Sequence, residues 1–282
     1  MKVIYLLIIY FMNYSLAFSQ TYSGKLFDKQ SEKPIPYANI GIANKNIGTV
    51  SNADGVFNLE LNSIENNDSL FISCIGYERK SYLVSNFKGF FRSKDQIIIE
   101  LQPKIYEMSE VVVRPMGTKL YTLGNFCEPD SPYGNAFYSK KLGTEMSVKI
   151  ELPEDKEIAH LQNFRFGVGK FTFDKFRVRL NVYNLANGVP AENILTEQIF
   201  VDITSDGTYV IDLKKYKIIT HGDFFISLEY FTVPDREEGE LIFCSVQQED
   251  ERNGYYRLTS YGSWTHEIVA NIGFSVQIRC EE

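Results

Sequence analysis

The sequence has 282 residues and a formal net charge of −7 at neutral pH, and aromatic residues make up 14% of it. The excess of acidic side chains argues against a nucleic acid or an anionic membrane surface as partner, because both require clustered lysine and arginine. The length predicts two domains. The many aromatic residues favour β-sandwiches over layers of helices.

The start of the chain has the pattern of an export signal. Lys2 precedes an apolar run from Val3 to Met12, and Ala17 and Ser19 supply the small residues of a cleavage site. The apolar run is about half of the roughly 20 residues that a membrane-spanning helix needs. We therefore predict a signal peptide over residues 1–19 and no transmembrane segment after its cleavage. The expected location is the periplasm or the outer-membrane-associated cell envelope.

Residues 20–103 are predicted to form a small β-sandwich. Apolar segments with period-two alternation are separated by turn signals, and Lys33-Pro34-Ile35-Pro36 breaks any helix near the start. Seven strands at this spacing are typical of a compact antiparallel sandwich. The predicted strands are Tyr22–Asp28, Tyr37–Ala43, Gly48–Ser51, Val56–Leu61, Ser69–Ile75, Glu78–Val84 and Gln96–Leu101.

The strongest local signal in this stretch is an Asp-Gly turn. Thr49 and Val50 precede it with side chains that favour strands, and an alternating run begins after it at Phe57. Aspartate caps its own backbone and glycine accepts a positive φ. Asp54-Gly55 between two such runs therefore predicts a β-hairpin.

Five motifs follow one another in a recognisable order over residues 21–114. In this order they resemble the carboxypeptidase regulatory-like domain of Bacteroidota envelope proteins, which has a transthyretin-like β-sandwich and often precedes the plug of TonB-dependent receptors. The resemblance implies a scaffold rather than a catalyst. The motifs are Gly24-Lys25-Leu26-Phe27-Asp28, Pro34-Ile35-Pro36-Tyr37-Ala38-Asn39-Ile40, Gly48–Phe57, Ser73-Cys74-Ile75-Gly76-Tyr77-Glu78 and Glu110-Val111-Val112-Val113.

Residues 104–120 are predicted to link this domain to a second one over residues 121–282. Period-two alternation resumes in the second half, and no convincing amphipathic helix interrupts it. We expect a jelly-roll-like β-sandwich, so that the whole chain is all-β. Phe176–Tyr183 also resembles carbohydrate-binding-type jelly-roll domains. The nine predicted strands are Met146–Leu152, Leu161–Val168, Phe176–Val182, Glu197–Ile203, Thr208–Leu213, Phe224–Tyr230, Glu240–Gln247, Gly254–Leu258 and Ile272–Cys280.

Four cysteines permit two disulfides in an exported chain, with three possible pairings that spacing alone leaves open. Cys74 lies in an apolar predicted strand, and Cys280 shares the register of the apolar residues before it. These two are predicted to be small buried hydrophobes. The absence of a Cys-x-x-Cys motif or a Cys/His cluster argues against structural zinc. The four are Cys74, Cys127, Cys244 and Cys280.

Motifs for catalysis are missing from the sequence. None of His160, His221 and His266 belongs to a His-x-x-Glu or His-Glu-x-x-His pattern, and there is neither a Gly-x-Ser-x-Gly elbow nor a glycine-rich phosphate loop. The acidic runs Asp235–Glu240 and Gln248–Arg252 lack the spacing of a calcium loop and are predicted to be solvated tips. We predict that the chain is not an enzyme, and we assign no catalytic, cofactor-binding or metal-binding residue.

The best candidates for ligand contact are aromatic residues near the end of the chain. Tyr255, Tyr256, Tyr261 and Trp264 lie close together in sequence among glycine and hydroxyl residues, and Trp264 is the only tryptophan. Sugars stack on such rings through their C–H faces. The alternative is that alternate rings belong to the core.

Three functions are consistent with these patterns. The first is an exported, non-enzymatic binding or adaptor protein that contacts a glycan or a protein through its sandwiches. The second is a structural component that docks on an outer-membrane assembly of the TonB-dependent receptor type by pairing of edge strands. The third is a hydrolase with an unrecognised site, which convergent carboxylates would favour.

Overall fold

The computed structural model describes residues 20–61, 66–91, 96–104, 118–234, 238–247, 253–266 and 271–281. In these residues the protein is all-β, as predicted, with 22 strands in four sheets. None of the helices found in this part of the chain is long and apolar enough to span a membrane. The predicted signal peptide, most of the predicted linker and most of the two acidic runs lie outside the described residues.

The N-terminal sandwich has the seven strands that the sequence predicts. Three of them form one sheet in the order β4-β1-β7, and four form the other in the order β3-β2-β5-β6. All pairs are antiparallel except β1 with β7, which is parallel and corrects the expected antiparallel arrangement. The strands are β1 Gln20–Asp28, β2 Asn39–Ile42, β3 Gly48–Val50, β4 Val56–Leu61, β5 Ser69–Ser73, β6 Lys80–Leu83 and β7 Gln96–Leu101.

The Asp-Gly turn is not a hairpin. β3 pairs with β2 in the four-stranded sheet, whereas β4 pairs with β1 in the three-stranded sheet, so the turn carries the chain from one sheet to the other. Gly55 has the expected positive φ of 74°. The cap is Asn52 rather than Asp54, because Asn52 Oδ1 accepts hydrogen bonds from the N–H groups of Asp54 (3.0 Å) and Val56 (2.9 Å).

A short helix, α1 (Val84–Gly89), replaces the end of the predicted strand Glu78–Val84. Its Val84 and Phe87 side chains are fully buried, three positions apart on one helical face. Phe87 contacts the rings of Tyr22 and Phe57 in the core of the N-terminal sandwich. The alternation of apolar and polar residues continues from the strand through Val84. The hydrophobic period alone therefore does not show that a helix begins there.

The C-terminal sandwich has fifteen strands in the described residues, and the nine predicted ones are among them. The six that were not predicted are short or lie near sheet edges: β8, β9, β13, β16, β20 and β21. The strands are β8 Thr118–Gly124, β9 Tyr133–Asn135, β10 Thr144–Ile150, β11 Ile158–Phe171, β12 Phe176–Ala186, β13 Val189–Asn193, β14 Ile199–Ile203, β15 Gly207–Asp212, β16 Ile219–His221, β17 Phe224–Tyr230, β18 Leu241–Val246, β19 Gly254–Arg257, β20 Thr265–His266, β21 Asn271–Ile272 and β22 Phe274–Glu281.

Two large sheets enclose the core of the C-terminal sandwich. The seven-stranded sheet has the order β13-β12-β17-β10-β19-β20 with β14 beside β12, and the eight-stranded sheet is built around β21-β18-β11-β22-β8. Consecutive strands β10, β11 and β12 alternate between the sheets, as expected for a jelly-roll-like arrangement. Met146 and Leu228 of the seven-stranded sheet pack in the same core as Phe166 and Phe274 of the other.

Period-two alternation gives the seven-stranded sheet a second, outer face. Glu145 and Glu229 each neighbour a core residue in their strands, and their side chains therefore point away from the core. The N-terminal sandwich covers part of this outer face through Tyr37 and Asn39. The domain boundaries stay predictions, and β8 begins at Thr118, inside the predicted linker.

Candidate functional site

Four charged side chains form a row across adjacent strands on the outer face of the seven-stranded sheet. The register places Arg179 of β12 beside Glu229 of β17, Glu229 beside Glu145 of β10, and Glu145 beside Arg257 of β19. Directly opposite residues in antiparallel strands are close enough for their side chains to interact. We call these four residues the charged row.

Each carboxylate of the charged row is paired with an arginine. Arg179 Nε donates to Glu229 Oε2 at 2.9 Å, and Arg257 Nη2 lies 2.5 Å from Glu145 Oε2. Both glutamates are fully buried, and the arginine side chains are 4% and 10% exposed. Hydrogen bonds between ionised partners are short and strong, and burial of such charges requires them.

Polar neighbours complete the hydrogen bonding of the two glutamates. Asn181 Nδ2 donates to Glu145 Oε1 (2.8 Å) and to Glu229 Oε2 (2.9 Å), so one amide bridges both carboxylates. Tyr183 donates its hydroxyl proton to Glu145 at 3.1 Å, and Ser227 Oγ also donates to Glu145. Every oxygen of the row therefore faces a donor.

Burial and charge move the pKa values of the two glutamates in opposite directions. Burial raises the pKa of Glu145, and the nearby Glu229 adds to the rise while Arg257 opposes it. Burial would also raise the pKa of Glu229, but the charges of Arg179 and Arg257 outweigh it and lower that pKa. Glu229 is thus the more strongly held anion of the pair.

The N-terminal sandwich supplies hydrogen-bond partners to the Arg179 end of the charged row. Arg179 Nη1 donates to the carbonyl oxygen of Tyr37 at 2.5 Å, and Arg179 Nη2 donates to Asn39 Oδ1. Asn39 Nδ2 donates in return to Glu229 Oε1 at 3.1 Å. The charged row is therefore shared between the two sandwiches.

Aromatic contacts also join the two sandwiches. Tyr37 packs against Phe200 and Phe231, with ring centroids 5.4 and 4.9 Å away. The ring of Phe71 stacks on that of Tyr261 at 5.5 Å. Tyr37 and Tyr261 both have φ near +60°, a conformation that non-glycine residues adopt only under constraint. These tyrosines are held in strained positions at the interface.

The charged row borders a cleft between the sandwiches, and both Arg179 and Arg257 line it. The cleft has a volume of about 950 Å³. Arg257 Nε is buried and has no hydrogen-bond partner in the described part of the chain. Each of the three nitrogen atoms of the Arg179 guanidinium, by contrast, donates a hydrogen bond. Side chains that line the cleft from the two sandwiches include Glu78, Arg79, Asn181, Glu192, Asn193 and Trp264.

Two of the four predicted ligand-contact residues line this cleft. Tyr261 and Trp264 are half-buried, and each has a neighbour from the protein: Phe71 stacks on Tyr261, and the guanidinium of Arg257 lies 4.8 Å from the centre of the Trp264 ring. Tyr183 packs edge-on against Trp264 at 6.0 Å. The rings are thus fixed in place while part of their surface remains open.

The other two predicted residues lie elsewhere. Tyr255 faces a separate depression of about 570 Å³ together with Asn253 and His266. Tyr256 stacks on Tyr138 with ring centroids 4.2 Å apart. The four aromatic residues therefore do not form one surface. Tyr255 and Tyr256 point to opposite faces of the sheet because they are successive residues of β19, and Tyr261 and Trp264 lie beyond the end of that strand.

Sequence reasoning missed most of this site. The alternation of Arg177, Arg179 and Asn181 with apolar residues marks a polar strand face, but it carries no sign that another part of the chain covers it. Glu145 and Glu229 were not singled out at all. No group of three or more metal-binding side chains is found among the residues that the structure describes.

Comparison with known proteins identifies the N-terminal sandwich. Residues 22–113 match the family model for the CarboxypepD_reg-like domain, in agreement with the motifs. The match leaves out the C-terminal sandwich. A comparison with curated proteins gives no match.

Solved structures share only a distant likeness with the chain. The cysteine protease and lectin-like domains of a surface layer associated protein of Clostridium difficile match with 11% identity and a TM-score of 0.37, over 49% of this chain and 32% of that one. The chain therefore spans about a third of that structure. A DUF3823 family protein from Parabacteroides merdae matches with 9% identity and a TM-score of 0.21, over 77% and 100% of the two chains. Likenesses of this size assign no function.

Proposed function

We propose that the chain is an exported, non-enzymatic binding protein of the cell envelope and that it holds a glycan in the cleft between its two sandwiches. The observation that carries this proposal is the position of Trp264 and Tyr261 on the wall of a cleft that amide and charged side chains also line, beside apolar ones such as Ile75 and Leu195. The carboxypeptidase regulatory-like domain supports a scaffold role, and the predicted signal peptide supports export.

The cleft offers both kinds of contact that a sugar uses. Aromatic rings stack on the C–H face of a sugar, and amide or charged groups bond to its hydroxyls. Asn193 Nδ2 donates to Oδ1 of the buried Asn181 at 2.9 Å, which holds the half-buried Asn193 amide in a set orientation on the wall of the cleft. The volume of about 950 Å³ is at the upper end of ordinary ligand sites. A short oligosaccharide suits this space better than a single sugar.

The charged row raises the hydrolase alternative. Two carboxylates with pKa values moved apart are typical of acid–base pairs in glycosidases. Glu145 and Glu229, however, have no exposed surface, and each is already paired with an arginine. A catalytic carboxylate must contact the substrate, so these two are better suited to hold the floor of the cleft.

Binding to an array of neutral and acidic oligosaccharides tests the proposal, followed by titration calorimetry with the best-bound glycan. We expect Trp264→Ala to weaken that binding by about fivefold or more because stacking contributes about 1 kcal/mol or more. Tyr256→Ala is the matched control, since its ring packs on Tyr138 outside the cleft. Both variants need unfolding midpoints close to that of the native chain.

Three outcomes would count against the proposal. Failure to bind any glycan on the array would remove the ligand class. Loss of binding in Tyr255→Ala with full binding in Trp264→Ala would move the site to the depression beside His266. Release of reducing sugar from a bound oligosaccharide, abolished in Glu145→Gln, would establish the hydrolase instead.

A further inference from the structure

Cys127 and Cys244 are neighbours in space although they are far apart in sequence. Cys127 lies in the loop after β8, and Cys244 lies in β18 of the eight-stranded sheet. A Cβ atom built on Gly273 would collide with Cys127 Cβ and would lie 3.0 Å from Cys244 Sγ, so both side chains border the same point. Burial raises the pKa of the Cys244 thiol, and the neighbouring Cys127 thiol adds to the rise.

Two glycines leave room for this pair of sulfur atoms. Gly273 follows β21 and its N–H donates to the carbonyl oxygen of Cys244 at 2.9 Å. On β11, a Cβ atom at Gly167 would lie 2.5 Å from Cys244 Sγ and 3.5 Å from the carbonyl oxygen of Cys127. A side chain at either glycine would occupy the space that the cysteines fill. The backbone is thus built closely around both thiols.

The surroundings of Cys127 and Cys244 hold the pair in place, and the residues that the structure describes add no third metal-binding side chain to it. Cys127 Sγ contacts the carbonyl oxygen of Ser245 at 3.3 Å, and Arg165 Nη1 donates to the carbonyl oxygen of Cys127 at 3.0 Å. Both cysteines are buried, with 3% and 1% exposure. Their proximity is therefore a fixed feature of the fold rather than a contact between mobile side chains.

We propose that Cys127 and Cys244 form a disulfide when the chain folds in an oxidising compartment, and that Cys74 and Cys280 stay as thiols. The step breaks two S–H bonds and forms one S–S bond. Two electrons and two protons pass to an oxidant of the disulfide class, which is reduced to two thiols. The proposal is independent of the ligand, because the pair lies in the eight-stranded sheet and not at the cleft.

The other two cysteines are placed where they cannot pair with each other. Cys74 belongs to the N-terminal sandwich, where its Sγ lies 3.6 Å from Gln198 Nε2 across the interface. Cys280 lies on β22 opposite Lys119 of β8. Both are buried, as the sequence predicts. Each of the three possible pairings of the four cysteines contains two disulfides. Only the Cys127–Cys244 bond is expected to form, so none of the three pairings is completed.

The bond would tie the loop between β8 and β9 to the centre of the eight-stranded sheet. It closes a long loop, and the loss of entropy in the unfolded chain grows with loop length. Because the thiols are buried, we expect oxidation to accompany folding rather than to follow it. The oxidised chain should unfold at a temperature roughly 5 °C or more above that of the reduced chain.

Refolding of the full chain with a mixture of oxidised and reduced glutathione tests the proposal. Free thiols are alkylated in denaturant, and the peptides are mapped by mass spectrometry without reduction. We expect one linked pair of peptides that contains Cys127 and Cys244, two hydrogens lighter than the separate peptides, together with alkylated Cys74 and Cys280. The linked pair should persist in Cys280→Ser and be absent in Cys127→Ser.

Two results would overturn the proposal. One is alkylation of all four cysteines after refolding with excess oxidised glutathione. The other is a linked pair of any other composition as the main product. If Cys127→Ser does not fold, the peptide map of the native chain alone shows whether Cys127 and Cys244 are linked.

Discussion

Glu145 and Glu229 lie directly opposite each other on β10 and β17, fully buried, with an arginine on the outer side of each. Like charges opposite each other destabilise a sheet, but Arg179 and Arg257 flank the pair and Asn181 bridges it. The four residues therefore balance in charge as a row. Because Tyr37 and Asn39 complete the bonding of Arg179, the row also fixes how the two sandwiches meet.

Removal of Arg179 should be strongly destabilising. Arg179→Met leaves Glu229 buried with its main positive partner lost, and breaking such a pair costs about 3–5 kcal/mol. The free energy of unfolding from urea titration measures the effect. The control is Arg177→Met, two residues earlier on the same strand, where the pair with Asp202 is exposed and contributes less than about 1 kcal/mol. Equal losses in the two variants would show that the buried pair has no special role.

Glu145→Gln should gain stability over the native chain as the pH rises. The pKa of Glu145 is raised in the folded state, so its proton is held more tightly there than in the unfolded chain. The stability that this gives is present below pH 4.5 and is lost as the pH rises through the folded pKa. Glutamine resembles the protonated form and does not titrate. Urea midpoints of both proteins between pH 4 and pH 8 check this, and a gap that does not change with pH contradicts it.

Glu229→Gln should behave in the opposite way. The pKa of Glu229 is lowered because the charges of Arg179 and Arg257 outweigh the effect of burial. Its contribution to stability is present above pH 4.5 and is lost as the pH falls through the folded pKa. The variant should therefore be less stable than the native chain at pH 7, and the difference should shrink in acid. The same urea titrations apply, and equal signs for the two glutamine variants would refute the assignment.

The sequence predicts which segments form strands better than it predicts which strands pair with each other. Gly55 has its expected positive φ, yet the strands around it belong to different sheets. A turn signal is local, whereas the sheet that each strand joins depends on its pairing with a more distant strand, β2 for β3 and β1 for β4. Strand β8 was missed because its side chains, such as Leu120, are largely exposed and give no apolar alternation.

The site was only partly predictable for a related reason. Trp264 and Tyr261 stand out by residue type, and both line the cleft. Arg177 and Arg179 look alike in sequence, but one is exposed and the other is buried beneath Tyr37 of the N-terminal sandwich. Burial of Arg179 arises from contact between segments that are distant in the chain, which alternation within β12 cannot reveal.

The contact between the sandwiches also depends on a glycine. Gly48 of β3 faces the carbonyl oxygen of Ser260, and a Cβ atom at Gly48 would collide with that oxygen and crowd the carbonyl oxygen of Ile40 at 3.0 Å. Both are backbone atoms and cannot rotate away. Ser260 belongs to the loop that also carries Tyr261, whose carbonyl oxygen accepts a hydrogen bond from the Asn44 N–H at 2.9 Å.

Gly48→Ala should therefore push the Ser260 loop away from the N-terminal sandwich and loosen the interface. Overpacking of this kind costs about 1–3 kcal/mol. Hydrogen exchange should show faster exchange of the Asn44 amide, and urea titration should show the lost stability. Gly89→Ala in helix α1 is the control, because no atom lies within 4 Å of its Cβ position and alanine favours helix over glycine. If Gly48→Ala keeps native stability and slow exchange at Asn44, the close approach of β3 to the Ser260 loop does not hold the sandwiches together.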